Sequence, residues 1–352
     1  MNALRRSTLR ATLRATIGIA VAALACAADS AHAQNLIEVK IGTNNVVSDG
    51  LFYVAEKKGW FKEQGIQPKY FVFDAGPKMI APLGTGQIDV ASGASSAGLF
   101  NAVSRGINVR AVADKGSNGP DYGYVRLILR KQLADKVKTI ADLRGLKIAQ
   151  AAQGGSPGAL LNEILKKGGL KYGDVQHVYM GYPTQVPALI NGAIDSAMCA
   201  EVYCTVAIES GSAVNMGLED VYPNQQIALI LYGGDFIKNK PELARKWMVA
   251  YIKAARFYND ALKDGKLAGP NAEELIKILT ESALVKDPAI YRKSVPQATH
   301  PDGKMNLESF RRDWQFYKDQ GYLEGSATVD QAVDASFAEA AAKALGPYQP
   351  KK

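Results

Sequence analysis

Apolar and polar positions alternate along most of the chain in short strand-like runs, each followed by a helix-like run. Ile37-Glu38-Val39-Lys40-Ile41 has the two-residue period of a half-buried strand. Leu51 to Gln64 follows with Phe52, Ala55 and Phe61 on recurring turns, and Gly65 is placed to end that helix. Lys69–Phe73 predicts a second strand, Pro77 opens a helix where proline is tolerated, and Gly86-Gln87-Ile88-Asp89-Val90-Ala91 leads into a third strand. Ser92-Gly93-Ala94-Ser95-Ser96 then precedes a helix to about Arg105, and Val109–Ala113 predicts a fourth strand.

The pattern restarts after Gly119-Pro120-Asp121-Tyr122-Gly123. Strands are predicted over Tyr124–Leu129, Lys147–Gln150, Val175–Met180 and Ile194–Ala197, with helices over Ala159–Lys167 and Thr184–Asn191. Ile227–Tyr232 reads as one more buried strand. Beyond Gly234 the pattern is helical: Leu243, Trp247, Tyr251, Tyr258 and Leu262 form a core-facing stripe, and Leu307–Gln320 and Val329–Leu345 repeat the habit. Repeated strand–helix alternation in two blocks implies an α/β fold with two lobes, each a largely parallel sheet flanked by helices.

The N-terminus has a different pattern. Arg5, Arg6, Arg10 and Arg14 precede an apolar run from Ala15 to about Ala28, and Asp29-Ser30-Ala31-His32-Ala33-Gln34 supplies a small-x-small site. These are the three parts of a secretory signal peptide, with cleavage expected after Ala33. Cys26 is the alternative, a lipid-attachment point, but Ala23 stands where an aliphatic residue is expected. Arg5-Arg6-Ser7-Thr8-Leu9-Arg10 is a loose match to a twin-arginine signal. Without the four arginines and one aspartate of residues 1–33, the 42 basic and 34 acidic residues become 38 and 33, a net +5. That mild charge is spread out, so nucleic acid is not an expected partner.

Chemistry-bearing motifs are few. Two cysteines, Cys199 and Cys204, follow residue 33; they read as either a local disulfide or two small buried residues. His177 and His300 stand far apart, so no metal site is expected. Phosphate-loop and dinucleotide fingerprints are absent, so no cofactor is expected. Gly154-Gly155-Ser156-Pro157-Gly158 matches a nucleophile elbow, with His300 as the one plausible base. The same residues also make an ordinary helix start, with Ser156 as cap and Pro157 at the first turn. A binding role fits better than an enzyme.

The loops that open helices are the binding candidates. Gly93, Ser95 and Ser96 on one block, and Gly154, Gly155 and Ser156 on the other, would let backbone amides approach a solute from two sides. Asn44, Asn45, Ser48 and Phe52 follow the first strand; Tyr122 lies between the blocks; Tyr182, Gln185, Glu201 and Tyr203 follow later strands. Ligands of open α/β sheets sit beyond such strand ends. Glu201 bears on the choice of solute, because in the cleft it would repel an anion and favour an aminopyrimidine.

Several phrases occur in a telling order: the leader, Gly59-Trp60-Phe61-Lys62-Glu63-Gln64-Gly65-Ile66, Gly86-Gln87-Ile88-Asp89-Val90, and Ile140-Ala141-Asp142-Leu143-Arg144-Gly145-Leu146-Lys147-Ile148-Ala149. Gln320-Gly321-Tyr322-Leu323 and Leu345-Gly346-Pro347-Tyr348 complete the set. Together they resemble the nitrate, sulfonate, taurine and thiamine-pyrimidine-precursor branch of periplasmic binding proteins. The resemblance implies a type II clamshell with lobe 1 from residues 34–123 and 232–352 and lobe 2 from 124–231. It places crossover strands near Tyr124–Leu129 and Ile227–Leu231, and returns the C-terminal helices to lobe 1. It implies a periplasmic monomer that captures a small organic solute by lobe closure and delivers it to the permease and ATPase of an ABC importer. The solute expected is an organic anion such as a sulfonate or carboxylate, with an aromatic body as one option; the alternatives are a pyrimidine or other heteroaromatic precursor and, distantly, a secreted esterase using Ser156.

Overall fold

A computed structural model describes residues 35–283 and 285–351 of the chain. The basic and apolar leader, with Cys26 and the expected cleavage after Ala33, lies outside the described residues. Two five-stranded sheets form the framework, and both belong to one compact unit, residues 38–352.

The first block of sequence supplies β1 (Ile37–Thr43), α1 (Gly50–Lys57), α2 (Trp60–Glu63), β2 (Ile66–Val72), α3 (Ile80–Gly84), β3 (Val90–Ala94), α4 (Ala97–Ser104) and β4 (Val109–Asn118). The second supplies β5 (Val125–Arg130), β6 (Lys147–Gln150), α5 (Ser156–Lys167), β7 (Gln176–Tyr179), α6 (Tyr182–Ile190), β8 (Ser196–Ala200), α7 (Tyr203–Glu209) and β9 (Ala213–Asn215). The tail begins with β10 (Gln225–Gly233), α8 (Gly234–Asn239) and α9 (Pro241–Asn259). After a short hairpin it continues with α10 (Ala272–Ser282), α11 (Pro288–Lys293), α12 (Leu307–Asp319), α13 (Val329–Ala332) and α14 (Ser336–Leu345).

Sheet one runs β2-β1-β3-β10-β4 and sheet two runs β7-β6-β8-β5-β9. The expectation of largely parallel sheets gives way to mixed ones. β1 pairs parallel with β3, and β6 parallel with β7 and β8. β10 is antiparallel to β3 and β4, and β5 is antiparallel to β8 and β9. The reason is chain path: β5 and β10 are the strands by which the chain arrives from the other sheet. β10 also lies wholly in sheet one, although its first residues fall in the 124–231 segment expected for lobe 2. All nine of its residues are buried between two neighbours, which explains its continuous apolar run.

Two expected helices divide, and one strand runs longer than the sequence reading gives. The expected helix over 51–64 is two helices, because Gly59 adopts φ +74°, a conformation open to glycine that breaks the turn. Val329–Leu345 likewise divides at Val333–Ala335. The fourth strand continues past Ala113 to Asn118, carrying Asp114 and Lys115 into the sheet.

The apolar stripe packs on α9 as its spacing requires, except that Leu262 lies beyond the helix end, in the hairpin strand Leu262–Lys263. Leu243, Trp247, Tyr251 and Tyr258 are buried. Trp247 and Tyr251 stack with centroids 5.4 Å apart. Phe52, on α1, meets Trp247 edge-on at 5.8 Å. Phe52, expected to touch solute, is thus a core residue of sheet one, fully buried against α9. Phe52→Ala should lower stability by about 3–5 kcal/mol through cavity formation. Urea unfolding measures this, and a loss below about 1 kcal/mol would contradict the placement.

Candidate functional site

A narrow cavity, open at its mouth, lies between the two sheets. Its walls come from both. Asn44, Ser48, Gly93, Lys115 and Ile227 line it from sheet one, and Ala152, Gly155, Ser156, Tyr182 and Ala200 from sheet two. Six of the residues expected from sequence therefore meet there: Asn44, Ser48, Gly93, Gly155, Ser156 and Tyr182.

The polar end is organised by Asp49, which is fully buried. One carboxylate oxygen accepts from the Asn44 amide at 3.0 Å and the Val46 amide at 3.3 Å. The other accepts from the Ser92 hydroxyl and pairs with the Lys115 ammonium at 2.9 Å. Lys115 is 1 % exposed, lies on β4, and also donates to the Ser48 hydroxyl oxygen at 2.5 Å. Burial pushes the Lys115 ammonium down, while Asp49 opposes that shift. Among the described residues, Lys115 is the one charged side chain lining the cavity.

Tyr124 and Tyr182 contribute phenol groups to the other wall. Burial raises both phenol pKa values, so each remains a neutral hydroxyl.

The two helix-opening loops reach the cavity through Gly93 and Gly155, and the Gly155 amide has no acceptor among the described residues. They clasp each other across the sheets. The Ala97 amide donates to Gly154 O at 2.8 Å, and the Ser156 amide donates to Ser95 O at 3.1 Å, making a two-bond antiparallel bridge. The Ser95 amide donates to Ile227 O. Ser95 Oγ pairs with the Tyr317 hydroxyl at 3.1 Å, and Ser96 Oγ caps α4 by accepting from Leu99 N. Ser95, Ser96 and Gly154 thus hold the seam and do not line the cavity. The cause is proximity: two short strand-to-helix loops face each other, and their backbone groups satisfy one another.

The remaining candidates fall away from the cavity wall. Asn45 adopts φ +52° and accepts from the Tyr53 hydroxyl. Tyr122 sits in a turn, exchanging backbone hydrogen bonds with Gly119. Gln185 is buried on α6 and donates to Met180 O. Tyr203 is buried on α7. Glu201 is fully buried and faces Arg126, with further bonds from Thr205 N at 3.1 Å and Thr205 Oγ1 at 3.0 Å. Burial pushes its carboxyl up against the pull of Arg126. Its backbone oxygen accepts from the Val47 amide at 2.9 Å, another bond between the sheets.

Two residues that the sequence reading passed over matter most. Lys115 was hidden because the strand seemed to end at Ala113; an unbroken run of small and apolar residues into Asp114-Lys115 was the available signal. Tyr124 was read only as the start of a strand. Cys199 and Cys204 are buried and free, and the Cys204 thiol donates to Cys199 O. Ser156 Oγ donates to Ile227 O at 3.0 Å and has no histidine partner among the described residues.

Two open mixed α/β sheets, joined by crossing strands and closing on a cavity between them, define a type II periplasmic-binding-protein fold. Solved structures with this architecture include the alkanesulfonate-binding protein SsuA of Xanthomonas axonopodis pv. citri bound to MOPS (TM-score 0.67, 19 % identity, 84 % of this chain and 98 % of that one). The nitrate-binding protein NrtA of Synechocystis PCC 6803 is similar at TM-score 0.73 and 15 % identity over 88 % of this chain and 89 % of that one. The desulfurization enzyme DSZB shares the fold at TM-score 0.60 and 14 % identity, over 88 % of this chain and 99 % of that one. The chain belongs to the NMT1/THI5-like family, whose model matches residues 49–261. A protein of Escherichia coli (strain K12) described as an aliphatic sulfonates-binding protein is 28 % identical over 193 residues, 55 % of this chain. The match spans 57 % of that relative's length.

Two predictions concern the seam. Gly154 has φ +63°, and a Cβ there would lie 2.9 Å from the Ala97 Cβ. Gly154→Ala should therefore cost about 1–3 kcal/mol and loosen the clasp. Faster amide hydrogen exchange at Ala97 and Ser156 is the readout; unchanged protection would contradict it.

Asp313, on α12, accepts from Tyr222 OH and Gln225 Nε2 beside the segment that returns to sheet one. Burial pushes its carboxyl from 3.8 up to about 7. A raised carboxyl pKa means the folded state holds a proton that the unfolded state releases. Its contribution is present below the unfolded value and lost as pH rises toward about 7. The stability of wild type relative to Asp313→Asn should fall between pH 4 and 7, by urea titration; a flat difference would contradict the shift.

Proposed function

We propose that the protein is the solute-binding component of an ABC importer and captures a small organic solute by closing its two sheets around the cavity. The supporting observation is the cavity itself, walled by residues of both sheets and flanked by backbone bonds across the seam. A solute that touches both walls favours the closed form by its differential affinity for the two states. The lobes of this proposal are the two sheets with their helices, crossing near Asn118–Val125 and Asn215–Gln225. Permease and ATPase partners, a monomeric state and a periplasmic location complete the reading. The names of the relatives, binders of sulfonates and nitrate, support it.

Among solutes, an organic anion is favoured over an aminopyrimidine. Glu201 is committed to Arg126 and Thr205, whereas Lys115 is the charged group at the cavity wall. A hydrolase is disfavoured because Ser156 Oγ is spent on Ile227 O.

Native mass spectrometry of the purified chain should reveal a co-purified small solute, and adding that solute to stripped protein should raise its melting temperature. Protein that carries no solute and gains no stability from sulfonates, carboxylates, nitrate or pyrimidines would refute the proposal. Turnover of an ester, abolished in Ser156→Ala, would support the hydrolase instead.

A further inference from the structure

Gly181 joins β7 to α6 in sheet two, and its backbone does not call for glycine. Its φ of −60° and ψ of 154° are extended values open to any residue. The requirement comes from the other sheet. A Cβ at Gly181 would lie 2.6 Å from Asp74 Cβ, 3.0 Å from Asp74 O and 3.2 Å from Asp74 Cγ. Asp74 follows β2, in sheet one. Those atoms belong to the backbone or sit next to it, so they cannot swing aside as the tip of a long side chain would. The loop that carries them is also tied down. The Phe73 amide donates to Thr43 O at 2.7 Å, the Lys78 amide donates to Ala75 O at 3.2 Å, and Lys78 Nζ reaches the Asp74 carboxylate at 2.7 Å. Gly181 is buried, although Pro183 two positions on is exposed. Neither Gly181 nor Asp74 lines the cavity.

The place of this contact in the topology gives it leverage. β2 lies three strands from β10 in sheet one, and β7 lies three strands from β5 in sheet two. β5 and β10 are the strands by which the chain crosses between the sheets. At about 4.8 Å per strand, Asp74 and Gly181 meet roughly 14 Å from the crossing. They therefore meet at the far lip of the cleft, where closure produces the largest displacement. Gln225 and Ile227, which bond Ser156, lie on β10 itself. Carbon atoms in contact sit about 3.8 Å apart, so alanine at 181 would demand a retreat of about 1.2 Å, or about 5° of opening at that radius.

We infer that Gly181 and Asp74 form a closure stop: the absence of a side chain at 181 lets the two sheets close fully at the lip, and so sets how tightly solute is held without touching it. This stop presupposes the receptor reading and adds to it the contact that fixes the closing angle. A side chain at 181 acts as a wedge that penalises the closed state alone, and solute affinity falls by that penalty.

The test uses mature protein with spin labels at Lys69 and Lys171, as purified and after stripping and refilling with butanesulfonate, butanoate or nitrate. The variants are Gly181→Ala, Gly181→Leu and Gly181→Ala/Asp74→Gly. The last removes the Cβ and Cγ that alanine would meet, and loses only an exposed ion pair with Lys78. Calorimetry reads affinity for each probe that binds wild type; where none does, native mass spectrometry reads the occupancy of the protein as purified. Gly181→Ala should weaken binding about tenfold, as expected of an overpacked contact, and Gly181→Leu more. Both should lengthen the label distance of the filled protein and leave the melting temperature of the stripped protein unchanged, because the open state lacks the contact. Asp74→Gly should recover most of the loss in Gly181→Ala. Wild-type affinity and distance in Gly181→Leu would overturn the stop and leave the receptor standing. So would a loss in Gly181→Ala that Asp74→Gly does not recover, since the fault would then lie within sheet two, at Tyr182. If wild type carries no solute, binds no probe and shows a single distance throughout, the receptor reading itself fails, and the stop with it.

Discussion

The buried pair of Asp49 and Lys115 is the constraint around which the site is arranged. A buried ion pair is costly to desolvate and tolerable only when the remaining lone pairs are satisfied. Here Asp49 takes two backbone amides, a serine hydroxyl and the ammonium. Those four bonds fix the loop between β1 and α1 onto β3 and β4. With that loop fixed, Val47 N lies in place to reach Glu201 O, and Ser48 and Asn44 turn toward the cavity. One saturated carboxylate thereby sets both the polar end of the cavity and one of the bonds across the seam.

A second set of contacts lies where the chain returns to sheet one. Gln225 Nε2 donates to Ser156 O and to Asp313, and Ser156 Oγ donates to Ile227 O. Tyr317 OH donates to Ser95 O. Sheet-one strand, sheet-two helix and α12 therefore share one hydrogen-bonded cluster. Its members are buried and mostly uncharged, so they orient the two sheets without a strong bias from salt. The bridge between the Ser96 and Gly155 loops extends the same cluster toward the cavity.

Much of this architecture was legible in the sequence. The alternation of Ile37–Ile41, the α9 stripe and the restart after Gly123 marked two α/β blocks, because burial on one face imposes those periods. The cavity was legible in outline, through Asn44, Ser48, Gly155 and Tyr182 at strand ends. What was not legible is which groups are already satisfied. Ser95, Ser96 and Gly154 are small loop residues in a suitable place, but pairing across the sheets consumes them. Phe52 carries a helix period equally compatible with core and cleft. Lys115 is a charge in what looked like a loop, and its importance appears only when Asp49, 66 positions away in sequence, is brought beside it.

The central claim is that two sheets close on a solute. Spin labels at exposed Lys69, on β2, and exposed Lys171, on the segment before β7, would report that motion, since Cys199 and Cys204 are buried. Double electron–electron resonance should show a longer distance in stripped protein that shifts to a shorter one when the co-purified solute is restored. A single distance, unchanged by the solute, would contradict closure as the mode of capture.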